Sequence, residues 1–269
     1  TPKDPFYWCF DFKAHQLSHE PKYDRIKDYL ALFSDANPES HQIVAEGSTR
    51  YLCSRVAARE IIAHQPDARF VAFVRNPVDL VQSYHMEQVY SLYESETDFE
   101  TAWRREMKSA DPTDPKTIFK RYGRIANLGS QIEIVQSVVG KDSLHVVIYD
   151  DLRESILDVY TGILEFLDLP SDGRTEFPVL NASHGHRFKW LAKMVLDPPD
   201  LLAPAVRRLR IFLSSNRFSA IETIKKKLNR PKERSEISES LRRELRDYFR
   251  PEVQKLGQLI GRDFSHWLS

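Results

Sequence analysis

The stretch from Arg69 to Tyr90 reads RFVAFVRNPVDLVQSYHMEQVY. Phe70 to Val74 is a short apolar run, the pattern of a strand buried on both faces. Arg75-Asn76-Pro77 follows at once. Proline fixes its own φ and lacks an N–H, so Pro77 suits the first turn of a helix. The helix it opens places Val78, Val81, Tyr84 and Val89 near one face, with Asp79 at the favourable N-terminal end of the dipole. Arg75 then stands at the carboxyl end of a strand, where open α/β sheets take their ligands. Ser83 lies just over two helical turns on, within reach of an anion shared with a long Arg. A planar guanidinium fork and a neutral hydroxyl together suit a phosphate. A strand–helix junction whose Arg pairs with a nearby carboxylate fits the same pattern.

The string Arg75-Asn76-Pro77-x-Asp79-x-x-x-Ser83 resembles the 3′-phosphate motif of sulfotransferases that use 3′-phosphoadenosine 5′-phosphosulfate (PAPS). The likeness extends to bacterial and glycan sulfotransferases of the heparan-sulfate type. It implies an α/β fold of P-loop-NTPase-like topology, a central parallel sheet flanked by helices, with Arg75 and Ser83 holding the nucleotide's 3′-phosphate. Lys3-Asp4-Pro5-Phe6-Tyr7 resembles the family's Lys-Glu-Pro-x-Phe-Phe element. There a carboxylate is the base for the acceptor, a role that passes to Asp4, while Lys3 stabilises charge on the transferring group. Glu46, Tyr51 and Leu52 match a Glu-Lys-x-Pro-x-Tyr-Leu segment, with Gly47 for its Lys and Thr49 for its Pro. Glu46 is the second candidate base. The family's Gly-x-x-Lys-x-Gly-Thr-Thr loop, which cradles the 5′-phosphosulfate, is absent from the 269 residues and is expected upstream of Thr1.

Composition is that of a soluble globular protein, 41% hydrophobic and 29% charged, long enough to bury a sizeable core. A formal net charge of zero gives no field toward nucleic acid, and none is expected as a partner. No apolar run is long enough to span a membrane. Two cysteines, Cys9 and Cys53, make no disulfide framework; they read as two buried free thiols, or as a pair if the fold brings them together. With no signal peptide to read, the compartment is expected to be cytoplasmic for a bacterial source and the Golgi lumen for a eukaryotic one. Nothing in the chain indicates an oligomeric state.

Further along, helices are predicted over Pro21 to Phe33, Ser54 to His64, Glu94 to Lys108, Ile118 to Val139 and Ile156 to Leu167, the last read as a core helix. Asp150-Asp151 is its expected N-cap. Gln42 to Ala45 and Leu144 to Tyr149 read as strands, the second buried, and Asp111 to Pro115 as a loop. Tyr122, near the family's Gly-x-Tyr-x-x-Gln-Leu segment, is a candidate neighbour of the nucleotide. Asn181 to Arg187 resembles the family's Asn-x-Ser stretch. His184 and His186 lack a third ligand at metal spacing; with Arg187 and His85 they are candidates for the acceptor.

From Arg187 to Arg234 thirteen Lys/Arg stand against four acids. Residues 201–228 mix apolar and basic positions, as a solvated helix face, an acidic-glycan groove or a lobe resting on anionic lipid would. Arg230 and Lys232 are expected to close over the donor's 3′-phosphate. Ile237 to Trp267 resembles the family's closing pattern, a helix ending in Tyr-Phe-x-Pro, a second helix, then Gly-Arg-Asp-x-Ser-x-Trp. The chain is therefore expected to be one sulfotransferase domain: a donor core over 1–178, a basic acceptor or lid region over 179–236, and packing helices over 237–269. The expected acceptor is a glycan, a lipid-linked sugar or a small molecule, with no metal required. Two rivals remain: a P-loop-type kinase, for which no Mg²⁺-binding set can be assembled, and a non-catalytic binder of phosphonucleotide or acidic glycan.

Overall fold

Strand β1, Phe70–Val74, pairs in parallel with β2, Leu144–Ile148, from Phe70 opposite Leu144 to Val74 opposite Ile148. The computed structural model describes residues 4–12, 23, 25–37, 39–90, 94–108, 121–178, 184–186, 229–231 and 236–269, with backbone alone for the two triplets. The chain divides into two compact units, one of Thr1–Leu80, Ala110–Phe177 and Arg242–Ser269, the other of Val81–Ser109 and Pro178–Leu241.

In the first unit the helices are α1, Ile26–Leu30, which tightens into a 3₁₀ turn over Ala31–Phe33, and α2, Ala57–His64. Both are shorter than the predicted stretches. Just ahead of α2, Ser54 Oγ accepts from the Ala57 N–H at 3.0 Å while donating to Asp11 at 2.6 Å. Helix α3, Pro77–Tyr90, begins in this unit with proline first, as read. The Asn76 side-chain oxygen accepts from Val78 N–H at 3.0 Å and so caps it. Its buried stripe runs Val78, Val81, Gln82, His85 and Gln88, more polar than the face expected from Tyr84 and Val89.

Several expectations change. The predicted helix over Ile118 to Val139 is α5, Tyr122–Ile125, and α6, Leu128–Val139, broken at Ala126-Asn127. The break holds because the Gln131 amide donates to the carbonyls of Arg124, at 2.7 Å, and Ile125, at 3.3 Å, that the interruption leaves over. Gln42 to Ala45 forms no strand among the described residues, and Ile43 and Val44 are exposed. Phe73 is 55% exposed, so β1 is not buried on both faces; the sheet has two strands among the described residues and Phe73 faces outward from it. Likewise β2 is fully buried only at Val147 and Ile148.

Asp150 and Asp151 fall inside a short helix α7, Tyr149–Glu154. The cap of α8, Ile156–Phe166, is Ser155, whose hydroxyl accepts from Asp158 N–H at 3.3 Å. No residue of α8 is fully buried, so it is an amphipathic surface helix and not a core one. Asp168, with φ of 56°, ends it in the left-handed region. The tail is a single helix α9, Glu239–Ile260, which runs through Pro251 without ending there. Pro251 faces solvent, while Phe249, Val253 and Leu256 on the opposite side are buried and carry the helix past it.

Helices α6 and α9 meet closely. A Cβ on Gly129 would lie 2.4 Å from the Glu252 carbonyl oxygen, and one on Gly123 would lie 2.5 Å from the Tyr248 hydroxyl. The Glu252 carboxylate takes both the N–H and the hydroxyl of Ser130 at 2.7 Å. Beyond α9, Arg262 grips Asp151 through two hydrogen bonds, and Trp267 Nε1 donates to Asp150 at 2.6 Å.

In the second unit α4, Phe99–Lys108, falls within the predicted Glu94 to Lys108 stretch and buries Phe99, Ala102 and Trp103. Glu94 is fully buried and paired with Arg105. Strand β3, His184–His186, pairs antiparallel with β4, Asn229–Pro231. The expected loop at Asp111 to Pro115 and the basic stretch 201–228 lie outside the described residues.

Candidate functional site

Arg75 is the first residue past the carboxyl end of β1, and the register of Val74 with Ile148 sets it beside Tyr149, the first residue past β2. Its guanidinium carbon lies 4.8 Å from the centre of the half-exposed Tyr149 ring. A planar cation on an aromatic face keeps its fork fixed in direction. Behind it the Asn76 cap and Pro77 fix where α3 starts. Arg75 belongs to the first unit; Ser83, half-buried, is the seventh residue of α3 and falls in the second.

A second cluster, wholly within the first unit, gathers around Glu46. The N-terminal segment crosses the strip 46–51 and is stitched to it. Phe6 N–H donates to Ser48 Oγ at 3.1 Å, Thr49 N–H donates to Asp4 Oδ1 at 3.0 Å, and Trp8 N–H reaches the Tyr51 hydroxyl at 3.5 Å. Asp4 and Phe6 adopt φ of 54° and 50°, the left-handed conformation this tight crossing requires. Arg50 lies 4.2 Å over the Phe6 ring. The Ser48 hydroxyl donates to Glu46 Oε1, and the Tyr29 hydroxyl donates to Glu46 Oε2 at 3.2 Å. An aromatic wall stands behind: Tyr7 stacks on Tyr29 with ring centres 4.7 Å apart, and Trp8 meets Tyr29 edge-on at 5.5 Å.

Burial raises the Glu46 carboxyl above the usual carboxylate range, while hydrogen bonds from Ser48, Tyr51 and Tyr29 pull it back and Asp4 adds repulsion. Burial likewise pushes the Tyr29 phenol up to about 12 and raises that of Tyr51 further. Cys9 and Cys53 are free thiols; burial pushes the Cys53 thiol up to about 11 and Cys9 higher, so both are poor nucleophiles.

Of the residues singled out from sequence, Asp4 and Glu46 are brought into one cluster. Tyr122 is fully buried as a core residue of α5, beside Gly123 at the α9 contact. His85 is buried in the second unit, its Nε2 bonded to the Glu96 carbonyl at 3.0 Å and its ring 5.5 Å from Phe99. Arg230 is in register opposite Gly185, between His184 and His186, so the two backbones of that candidate set are neighbours. Lys3, Arg187 and Lys232 lie outside the described residues. Sequence reading passed over the Asn76 cap, the Tyr149 ring and the hydroxyls of Tyr29 and Ser48. The Glu46-x-Ser48 spacing was a signal for the last; Tyr29 read only as a helix core position. A groove of about 410 Å³ beside Leu144, Ile132 and Gln258 opens at the amino end of β2, away from Arg75. Among the described residues no three His, Cys, Asp or Glu side chains cluster as metal ligands, and no helix is long and apolar enough to cross a membrane.

The fold is of the α/β sulfotransferase class, with P-loop-NTPase-like topology. That class is defined by likeness to solved structures, of which 13 chains match. One is a sulfotransferase from Alicyclobacillus acidocaldarius, aligned with a TM-score of 0.68 at 18% identity over 100% of this chain and 87% of its own. No protein-family model matches the sequence, and no curated protein matches it.

Proposed function

We propose that the protein is a sulfotransferase moving a sulfuryl group from PAPS to a hydroxyl or amine of a carbohydrate, a glycolipid or a small metabolite. The observation that carries this reading is Arg75, presented at the carboxyl end of a parallel strand on a sulfotransferase fold, with Asn76 and Pro77 opening the helix that bears Ser83. The residues present fit a phosphate: a guanidinium fork held on the Tyr149 ring and a hydroxyl on the following helix. In this reading Arg75 and Ser83 bind the 3′-phosphate, with Arg230 and Lys232 as further candidates for that role. His184, His186 and Arg187 are the candidates for binding the acceptor. Residues 201–228 are the stretch through which contact with anionic lipid would run.

The chemistry is an in-line displacement. The acceptor oxygen or nitrogen forms a bond to sulfur as the bond from sulfur to the donor's phosphate oxygen breaks, and adenosine 3′,5′-bisphosphate leaves with that electron pair. The acceptor's proton passes to a carboxylate of the Asp4–Glu46 cluster. Positioning and charge stabilisation supply the rate.

The test is calorimetric binding of adenosine 3′,5′-bisphosphate, with adenosine 5′-phosphate as control. Tight binding that needs the 3′-phosphate, and that weakens at least tenfold in Arg75→Ala (about 1.4 kcal/mol), is the expected result. Equal affinity for the two nucleotides would sink the reading and bring a kinase-like or purely binding role forward.

A further inference from the structure

We infer that Glu46 is the general base of this transfer, with Tyr29, Ser48 and Tyr51 as its positioning residues, and that Asp4 is a backbone clamp. The inference rests on the sulfotransferase reading above and chooses between its two carboxylates on geometry. Asp4 is committed to the fold: its Oδ1 accepts the Thr49 N–H at 3.0 Å, at the start of the 3₁₀ turn Thr49–Tyr51, and its own backbone is held at φ 54°. Removing that carboxylate would loosen the crossing of the N-terminal segment over the strip 46–51.

Glu46 is met by side-chain hydroxyls at both its oxygens, Oε1 by Ser48 and Oε2 by Tyr29. A hydroxyl donates to a carboxylate and, after rotation, accepts from the protonated acid, so this shell serves the residue in both states. Tyr29 comes from α1, stacked on Tyr7 and edged by Trp8, which fixes its oxygen in place. Ser48 is held by the Phe6 N–H it accepts. The titratable groups facing Glu46 are Asp4 and Cys9 from the N-terminal segment, Tyr29 from α1 and Tyr51 from the following turn. Asp4 favours the protonated acid, and the three hydroxyls favour the carboxylate. In the step, the acceptor's proton moves to a Glu46 oxygen as its lone pair goes to sulfur. The proton returns to water after product leaves.

Three variants test this: Glu46→Gln, Asp4→Asn and Tyr29→Phe. Binding of adenosine 3′,5′-bisphosphate is measured first, and then its release from PAPS with water as the acceptor, which needs no identified substrate. The carboxylic-acid C=O band is followed by infrared spectroscopy against pH. In Glu46→Gln, release falls about 100-fold or more, the range of a lost general base, while bisphosphate affinity holds and the raised C=O band vanishes. In Tyr29→Phe the acid limb of the rate profile and the C=O titration both move to higher pH, since a hydrogen bond favouring the carboxylate is gone; a merely structural role would lower the melting temperature and leave both in place. In Asp4→Asn the acid limb persists and moves to lower pH, since the repulsion that favours the protonated Glu46 is gone, whatever the loss in stability. Intact bisphosphate binding with an unaffected Glu46→Gln, or with the acid limb lost in Asp4→Asn, overturns this assignment alone. A wild type that binds no bisphosphate overturns the donor reading with it.

Discussion

Glu46 shows how one residue's burial becomes a measurable property of the whole chain. Its carboxyl is raised above the ordinary range chiefly by desolvation. A carboxyl raised in the folded state stabilises the fold fully below its unfolded pKa, and that contribution is lost as pH rises through the folded value. Glu46→Gln, which cannot ionise, is therefore expected to gain in melting temperature relative to wild type as pH climbs from the ordinary carboxylate range toward neutrality. A thermal-shift series over that window checks it, and a constant difference would mean that Glu46 stays solvated. Arg75 and Glu46 were both legible as residues, because Arg-Asn-Pro after an apolar run and Glu before Tyr-Leu are local strings. Their surroundings were not, since the Tyr29 hydroxyl is 17 positions from Glu46 and the Asp4 carboxylate 45 from Thr49 N–H.

At the scale of elements, the contact of α6 with α9 depends on the absence of a side chain. Alanine at position 129 is the better helix former by roughly 1 kcal/mol, yet its Cβ would sit 2.4 Å from the Glu252 carbonyl, a backbone atom that cannot swing away. The clash outweighs the propensity. Gly129→Ala is expected to destabilise by about 1–3 kcal/mol, the ordinary cost of overpacking, read from urea unfolding of the full chain; a stabilised variant would mean that the two helices shift apart freely. Two boundaries in these helices differ from the periodicity. Periodicity ran unbroken from Ile118 to Val139, while the chain breaks at Ala126-Asn127 because the Gln131 side chain satisfies the freed carbonyls. Pro251 read as a stop, yet α9 continues because Phe249, Val253 and Leu256 are all buried on one face.

At the scale of the molecule, the first unit is assembled from three separate stretches of chain, Thr1–Leu80, Ala110–Phe177 and Arg242–Ser269. Its last stretch is tied down by Trp267, which is 3% exposed and bonded to Asp150, and by the Arg262–Asp151 fork. Trp267→Ala removes a large buried ring and leaves Asp150 without its indole donor. A loss of about 3–5 kcal/mol is expected. Because α7 follows β2 directly, the loss should appear as faster amide exchange in β2 and α7 as well as in the tail. Protection unchanged in β2 would show that the tail folds independently of the sheet.

Local strings and periods specified the strand Phe70–Val74 and the Pro77 helix start, because each depends on neighbours within a few positions. They also pointed to a sulfotransferase-type fold, which the likeness to solved structures bears out. Exposure and long-range polar pairing were settled only by folding. That β1 leaves Phe73 open, that Gln42 to Ala45 pairs with no strand among the described residues, and that Asp4 is tied to the Thr49 N–H while Glu46 is met by hydroxyls all depend on which distant backbone arrives alongside. Hydrogen bonds and desolvation act through space at about 3 Å, and no period in the sequence records them.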